Sequence, residues 1–374
     1  MRIAYLVPAP GIPVRGPSGA SAHVRGLAGG LAQDHELRLF AALEQDRRGR
    51  FGEDPPALTA LGAPGWPSWL DGWRDLREVR AARRISRHLL RQARGGWRPE
   101  LLLERHSLFS DAGWRLHDAL DLPWVLEVNA PPCLERGRFE RLRRPALAAR
   151  WERRVLQAAP AIVTVSHWLA DWLVQEHGCR AVTVVPNGVT PARGDRQRGR
   201  RLLGLGEDEP VIGFVGSMKA WHGVGRLVRV AQAVGARLAL VGERRDPATF
   251  LDIGQSLPED LIWTDHLAPQ GLADVVAALD VGLAPYPADA PPWFCPLKVL
   301  DYRAQGTPVV GTDVGDTRRL VGEAGTVVPP EDDEALIEAV RAWLGRRTPP
   351  WVRSWRQVGV EILAAAGLPA TGPG

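Results

Sequence analysis

The sequence predicts an α/β protein of two doubly wound domains, each a parallel sheet covered by helices on both faces. Short apolar runs bounded by turn residues alternate with helix-like segments along most of the chain, as in strands joined by helical crossovers. That alternation breaks once, in the charged stretch TPARGDRQRGRRLLGLGEDEP at 190–210, and then resumes. The length of 374 residues also fits two cores better than one.

Taken in order, RIAYLVP at 2–8 reads as a buried strand, followed by a loop rich in Gly and Pro. Ser21 is placed to cap the first helix, which runs through HVRGLAGGLAQ into a second strand, ELRLF. LLLERH, PWVLEVNAP, AIVTVS and AVTVVPNG are further short apolar runs, several separated by arginine-rich helical patterns. The stretch at 190–210 reads as a linker with a short helix. PVIGFVGS, ARLALVGE, LIWTDH, DVGLAPYP, TPVVGTD and GTVVPP then supply the strands of the second domain. EDDE at 331–334 reads as the acidic start of a helix, where carboxylates suit the positive end of the dipole.

Composition narrows the function classes. Hydrophobic residues at 45% and charged residues at 24% are those of a soluble globular protein. A formal charge of +4, with no helix-turn-helix, zinc-finger or RNP-like signature, argues against nucleic acid as a partner. Cys133, Cys179 and Cys295 are odd in number and far apart, so neither a disulfide framework nor a zinc site is expected. The start MRIAYLVPAPGIP lacks the basic beginning and long apolar run of a signal peptide, and no run elsewhere could span a bilayer. The expected location is the cytoplasm.

Only two of the 47 basic residues are lysines, Lys219 in GSMKAWHG and Lys298 in CPLKVLDY. Both lie in segments that follow strands, where open parallel sheets bind their ligands. Pro296 suits the first position of a helix, which puts Lys298 in the first turn. A cation there opposes the helix dipole unless an anion joins it, and exposed backbone N–H groups with an ammonium form a phosphate site. The plainer alternative is a solvated surface pair of Lys298 with Asp301, worth about 0.2–0.5 kcal/mol at best.

At these residues the chain resembles the retaining glycosyltransferases of the GT-B fold, specifically glycosyltransferase family 4. PNGV at 186–189 is similar to the family's inter-domain signature, and FVGSMKAWHG to its phosphate loop in the form G-S-x-K-x-W-H-G. CPLKVLDYRAQGTPVV resembles the donor-binding segment S-P-x-K-x-x-E-Y-x-A-x-G-x-P-V-V, and GPSGASAHV the glycine-rich acceptor-side loop. WVRSWRQVGVEIL resembles the terminal helix that crosses back onto the first domain. The implied division is an acceptor-side Rossmann-like domain at 1–188, a nucleotide-sugar domain at 189–346 and the returning segment at 347–374. The two domains are expected to face each other across a cleft.

The resemblance implies transfer of a sugar, with retention, from a nucleotide-diphosphate sugar to a glycan, lipid-linked or small-molecule acceptor. It implies that Lys219 and Lys298 take the diphosphate, with Gly216, Ser217, His222, Pro296, Leu297 and Val299 shaping the donor loops. Asp301 would accept a hydrogen bond from the ribose, and His266 would stand near the base. Gly19 would let the first loop approach the donor, and His23 and Asn129 would contact substrate. Fixed cations would stabilise the leaving diphosphate; no Asp-x-Asp is present, and neither a metal nor a separate cofactor is expected.

The chain also departs from the family pattern. Asp301 stands for the second glutamate of the E-x7-E pair and Trp293 for the first. Ser217 and His222 replace an arginine and a lysine, Asn129 a histidine, and Cys295 a serine. These departures keep open a catalytically degenerate partner protein that binds nucleotide sugar, beside an epimerase or a phosphorylase-like enzyme on the same fold. Trp66, Trp69 and Trp73 beside an arginine-rich helix pattern at 64–94, and a second basic helix at 136–156, read either as solvated helices or as a peripheral contact with an anionic membrane at the inner face.

Overall fold

The structure, a computed structural model, describes residues 1–45, 57–61, 77–190, 192–242 and 260–368. It divides into two compact units, Met1–Asn187 with Trp355–Gly374, and Gly188–Ser354. Trp66, Trp69 and Trp73 lie outside the described residues.

Among its described residues the first unit has seven strands: β1 (Arg2–Val7), β2 (Glu36–Ala41), β3 (Leu58–Ala60), β4 (Leu101–Arg105), β5 (Trp124–Val128), β6 (Ala161–Thr164) and β7 (Val182–Val184). They pair in parallel in the order β3-β2-β1-β4-β5-β6-β7. β4 and β5 are buried along their whole length, which is why they read as apolar runs without alternation: both sheet faces are covered. The helices are α1 (Gly19–Leu31), α2 (Arg77–Arg94), α3 (Ala112–Leu120), α4 (Pro132–Phe139), α5 (Pro145–Ala158) and α6 (His167–His177).

Two local expectations change. The cap of α1 is Ser18, not Ser21: Ser18 is extended and its hydroxyl accepts from the Ser21 N–H at 3.1 Å. The second basic helix is two helices. Proline lacks the N–H an interior helical position donates and disfavours helical geometry before it, so Arg144 turns away and Pro145 starts α5.

The second unit holds α7 (Arg196–Leu203), capped by Asp195 and closed by left-handed Gly204, inside the stretch read as a linker with a helix. The six strands among its described residues are β8 (Val211–Val215), β9 (Arg237–Val241), β10 (Ile262–Thr264), β11 (Val281–Ala284), β12 (Val309–Thr312) and β13 (Gly325–Val328). Their order is β10-β9-β8-β11-β12-β13, again all parallel. Helices α8 (Leu227–Val234), α9 (Pro269–Ala278), α10 (Leu297–Ala304), α11 (Thr317–Val321) and α12 (Asp333–Trp343) connect them. Phe214, Leu240, Leu283, Val310 and Val340 share a core made from strands and from α12. Asp332 caps α12 by accepting from the Ala335 N–H at 2.9 Å, so EDDE does start a helix.

The last helix, α13 (Trp355–Ala365), belongs to the first unit. It seats Trp355 against Gly26 and Gly30, one turn apart on α1, where a Cβ on either glycine would collide with Trp355. The Trp355 ring also meets His23 edge-on, with centroids 5.0 Å apart.

Candidate functional site

In the second unit the strand order reverses between β8 and β11, and such a switch point is where open sheets bind ligands. The chain leaves β8 through Gly216, whose φ of 141° is open to glycine and strained for other residues. The loop then folds on itself: the Lys219 N–H donates to the Ser217 carbonyl at 2.7 Å and the His222 N–H to the Lys219 carbonyl at 2.9 Å. The buried His222 ring also hydrogen-bonds the Ser217 carbonyl through Nδ1, so it braces the loop from within. Gly223, at φ 66°, lies against the Pro285 carbonyl with no room for a Cβ. Lys219 itself is exposed, its Nζ 5.3 Å from the centre of the Trp221 ring.

Beyond β11 the chain reaches α10. Pro296 is its N-cap, one place before the helical position expected, and Leu297 and Lys298 are its first two residues. Lys298 is buried at 8% exposure, so a solvated surface pair with Asp301 is not what the fold makes. Its Nζ stands 3.7 Å from the centre of the Phe214 ring and 5.1 Å from that of Tyr286, cation–π distances. Among the described residues Nζ has no hydrogen-bond partner. Burial pushes its pKa well below the ordinary lysine range, against the pull of Asp301. Burial likewise raises the partly covered Asp301 to about 7, with the Lys298 charge opposing.

An aromatic wall completes this corner: Phe294 packs on Tyr286 at 4.7 Å and on Trp221 at 5.3 Å between ring centroids. Underneath, the Tyr302 hydroxyl accepts from the Val215 N–H at 3.0 Å and pins α10 to the end of β8. Val299 and Trp293 are buried and support the corner from the core side. Gly216, Ser217, Lys219, His222, Pro296, Leu297, Lys298 and Asp301 thus share one corner, although about eighty residues separate the two segments. His266 is exposed just past β10, with β9 between its strand and β8.

Gly19, His23 and Asn129 lie in the first unit. Gly19 is the exposed first residue of α1. His23 is buried: Nδ1 hydrogen-bonds Asn187 Oδ1 at 2.7 Å, and Nε2 hydrogen-bonds Glu127 Oε1. Glu127 is the centre of this cluster, accepting also from the Tyr5 hydroxyl at 2.9 Å and from Asn129 Nδ2 at 3.4 Å. Arg105 approaches it to 4.0 Å. Burial raises the Glu127 pKa, but His23, Arg105 and Tyr5 together outweigh that and hold it down at about 2. Sequence reasoning missed Glu127. The available signal was a carboxylate inside an otherwise apolar strand, WVLEV, since buried charges are kept only with partners.

Two Rossmann-like parallel-sheet units are the components of the GT-B fold. Residues 17–193 match the model of Glycosyltransferase Family 4 and residues 209–346 that of Glycosyl transferases group 1, so the chain carries glycosyltransferase domains of both kinds. It is 25% identical over 293 residues to a D-inositol 3-phosphate glycosyltransferase of Nocardia farcinica, covering 72% of this chain and 63% of that protein. The same-named protein of Mycobacteroides abscessus is 28% identical over 298 residues, covering 71% and 65%. The matched regions thus span less than two thirds of either relative's length. Anabaena HepE, solved in complex with UDP-glucose, shares the fold with a TM-score of 0.65 at 14% identity, covering 98% of this chain and 99% of that one.

Proposed function

We propose that the protein transfers a sugar, with retention, from a nucleotide-diphosphate sugar to a glycan, lipid-linked or small-molecule acceptor. The observation that carries this is Lys298, whose amino group is held inside the switch-point corner with no hydrogen-bond partner among the described residues. A buried ammonium left so is costly, and a phosphate oxygen would satisfy it. Lys219 on the facing loop supplies the second charge. Asp301 accepts from the ribose, and His266 stands toward the base. His23 and Asn129 act through the Glu127 cluster that shapes the acceptor side. The relatives' names support glycosyl transfer, and the UDP-glucose held by HepE supports the donor class.

In the reaction the bond from the anomeric carbon to the diphosphate breaks and one to the acceptor oxygen forms. The acceptor's hydroxyl proton leaves with the diphosphate. Negative charge grows on that leaving group, and preorganised cations stabilise it without a metal. A thermal-shift panel of UDP-, GDP-, ADP- and TDP-sugars tests the reading, with and without EDTA. Donor at 100 times its Kd stabilises by about 2.7 kcal/mol, and chelation is expected to leave this unchanged. A protein that no nucleotide sugar stabilises would sink the proposal.

A binding protein without turnover is the second reading, favoured by Trp293, which is buried where the family pattern has a glutamate. Donor hydrolysis in the presence of a mixed acceptor pool separates the two. For a lipid-linked acceptor the proposal includes a peripheral membrane contact. On α4 the exposed Leu134 and Phe139 lie near the exposed Arg138 and Arg141, with the Arg138 guanidinium 5.1 Å from the Phe139 ring centre. No described helix is long and apolar enough to cross a membrane. Co-sedimentation with anionic liposomes that falls as salt rises is the expected result; no binding at low salt would remove this part.

A further inference from the structure

We propose that the first unit carries a saccharide-binding site of its own on α3 and α5, separate from the loops assigned to the donor. A cavity of about 290 Å³ lies there, lined by Asp111, Trp114, Asp118, Trp151, Arg154 and Val155. That is near the lower end of small-molecule sites, roughly 300–1,000 Å³, and suits one or two sugar rings better than a nucleotide sugar. Trp114 and Trp151 are both half-buried, so part of each indole remains accessible. Phe109 meets the Trp151 ring edge-on at 6.0 Å between centroids and backs it from the core.

Two lining residues each carry a buried polar atom with no hydrogen-bond partner among the described residues: the donor Trp151 Nε1 and the acceptor Asp111 Oδ1. The other oxygen of Asp111 is taken by Arg115 at 2.8 Å. Native proteins leave few such atoms unsatisfied, and here the donor and the acceptor belong to residues that line one cavity. A hydroxyl group supplies both complements, because it accepts from an N–H and donates to a carboxylate.

Charge narrows the class further. Asp111 and Asp118 balance Arg115 and Arg154 around the cavity, so it favours neither a phosphate nor an amine. Arg154 already stands 5.8 Å from the centre of the Trp114 ring. Two part-exposed indoles, beside both acidic and basic side chains able to meet hydroxyls, describe a neutral saccharide site. The inference does not depend on the donor reading, since none of these residues belongs to the switch-point corner.

Saturation-transfer NMR on the full chain, with methyl glucoside, methyl mannoside, methyl galactoside and maltotriose, tests it. At least one probe is expected to bind saturably in the millimolar range. Trp114→Ala should weaken that probe by about tenfold or more. Trp151→Phe, which keeps an aromatic ring while removing the indole N–H donor and part of the ring surface, should weaken it measurably, and circular dichroism checks both folds. Inorganic phosphate should not compete. The proposal is overturned if no probe binds saturably, if binding survives Trp114→Ala in a folded protein, or if phosphate displaces the saccharide. UDP binding measured alongside reports on the donor loops separately, so either reading can fail while the other stands.

Discussion

Lys298 Nζ sits 3.7 Å from the centre of the Phe214 ring, so an amino group from the start of α10 is covered by an aromatic side chain of β8. Tyr286 at 5.1 Å and the backbone of Gly216 close the cage further. The ring faces offer partial compensation for lost hydration, and the rest is left to whatever anion arrives.

That cage makes charge-conserving substitution harmful. Guanidinium is planar, wider and forked, whereas ammonium is compact. Lys298→Arg is expected to lower the transfer rate about tenfold or more, roughly 1.4 kcal/mol. Lys219→Arg should be milder, because Lys219 is exposed. Steady-state kinetics on both variants, with circular dichroism for folding, decide it; a wild-type rate in Lys298→Arg would refute the cage argument.

Donor binding should take up a proton. Burial keeps the Lys298 pKa well below the ordinary 10.5, while a diphosphate favours the ammonium form. Affinity for UDP should therefore fall as pH rises and the Lys298 ammonium is lost. In the free protein a lowered lysine pKa means that the unfolded chain binds more protons, so this group's contribution to stability grows with pH. Asp301 runs the other way, its contribution being lost as pH rises through about 7. Calorimetry of UDP binding in two buffers of different ionisation heat should show uptake in the wild type and less in Lys298→Met. Equal heats in both buffers for the wild type would count against the mechanism.

Asp301 is assigned to the ribose as a hydrogen-bond acceptor and not as a proton carrier. Asp301→Asn should then weaken nucleotide binding by about 1–3 kcal/mol. Normal donor affinity together with a complete loss of turnover would instead make Asp301 a catalytic group.

The Glu127 cluster should show in acid. Its carboxyl is held at about 2 against the ordinary 4.5, so it contributes stability that is present above 4.5 and lost as pH falls towards 2. His23→Ala removes a principal partner of a buried carboxylate, an effect of about 3–5 kcal/mol. Glu127→Gln should flatten the acid limb. Urea midpoints across the acid range measure both, and a His23→Ala protein with wild-type stability would contradict the assignment.

By itself the sequence determined the number and parallel sense of most strands, the interruption at 190–210, and the two lysine loops. These features are local: strand-sized apolar runs and glycine positions are visible without knowing what packs on what. It also contained the proline that splits the basic stretch into α4 and α5, although the helical pattern around Pro145 masked it. Only the tertiary structure decided that Phe214 and Tyr286 enclose Lys298, that Glu127 draws in His23, Tyr5 and Asn129, and that Trp114 and Trp151 line one cavity. Each of those relationships joins distant segments through strand order and helix packing. Burial, which turns an ordinary lysine or glutamate into a perturbed one, follows from that packing and from no pattern along the chain.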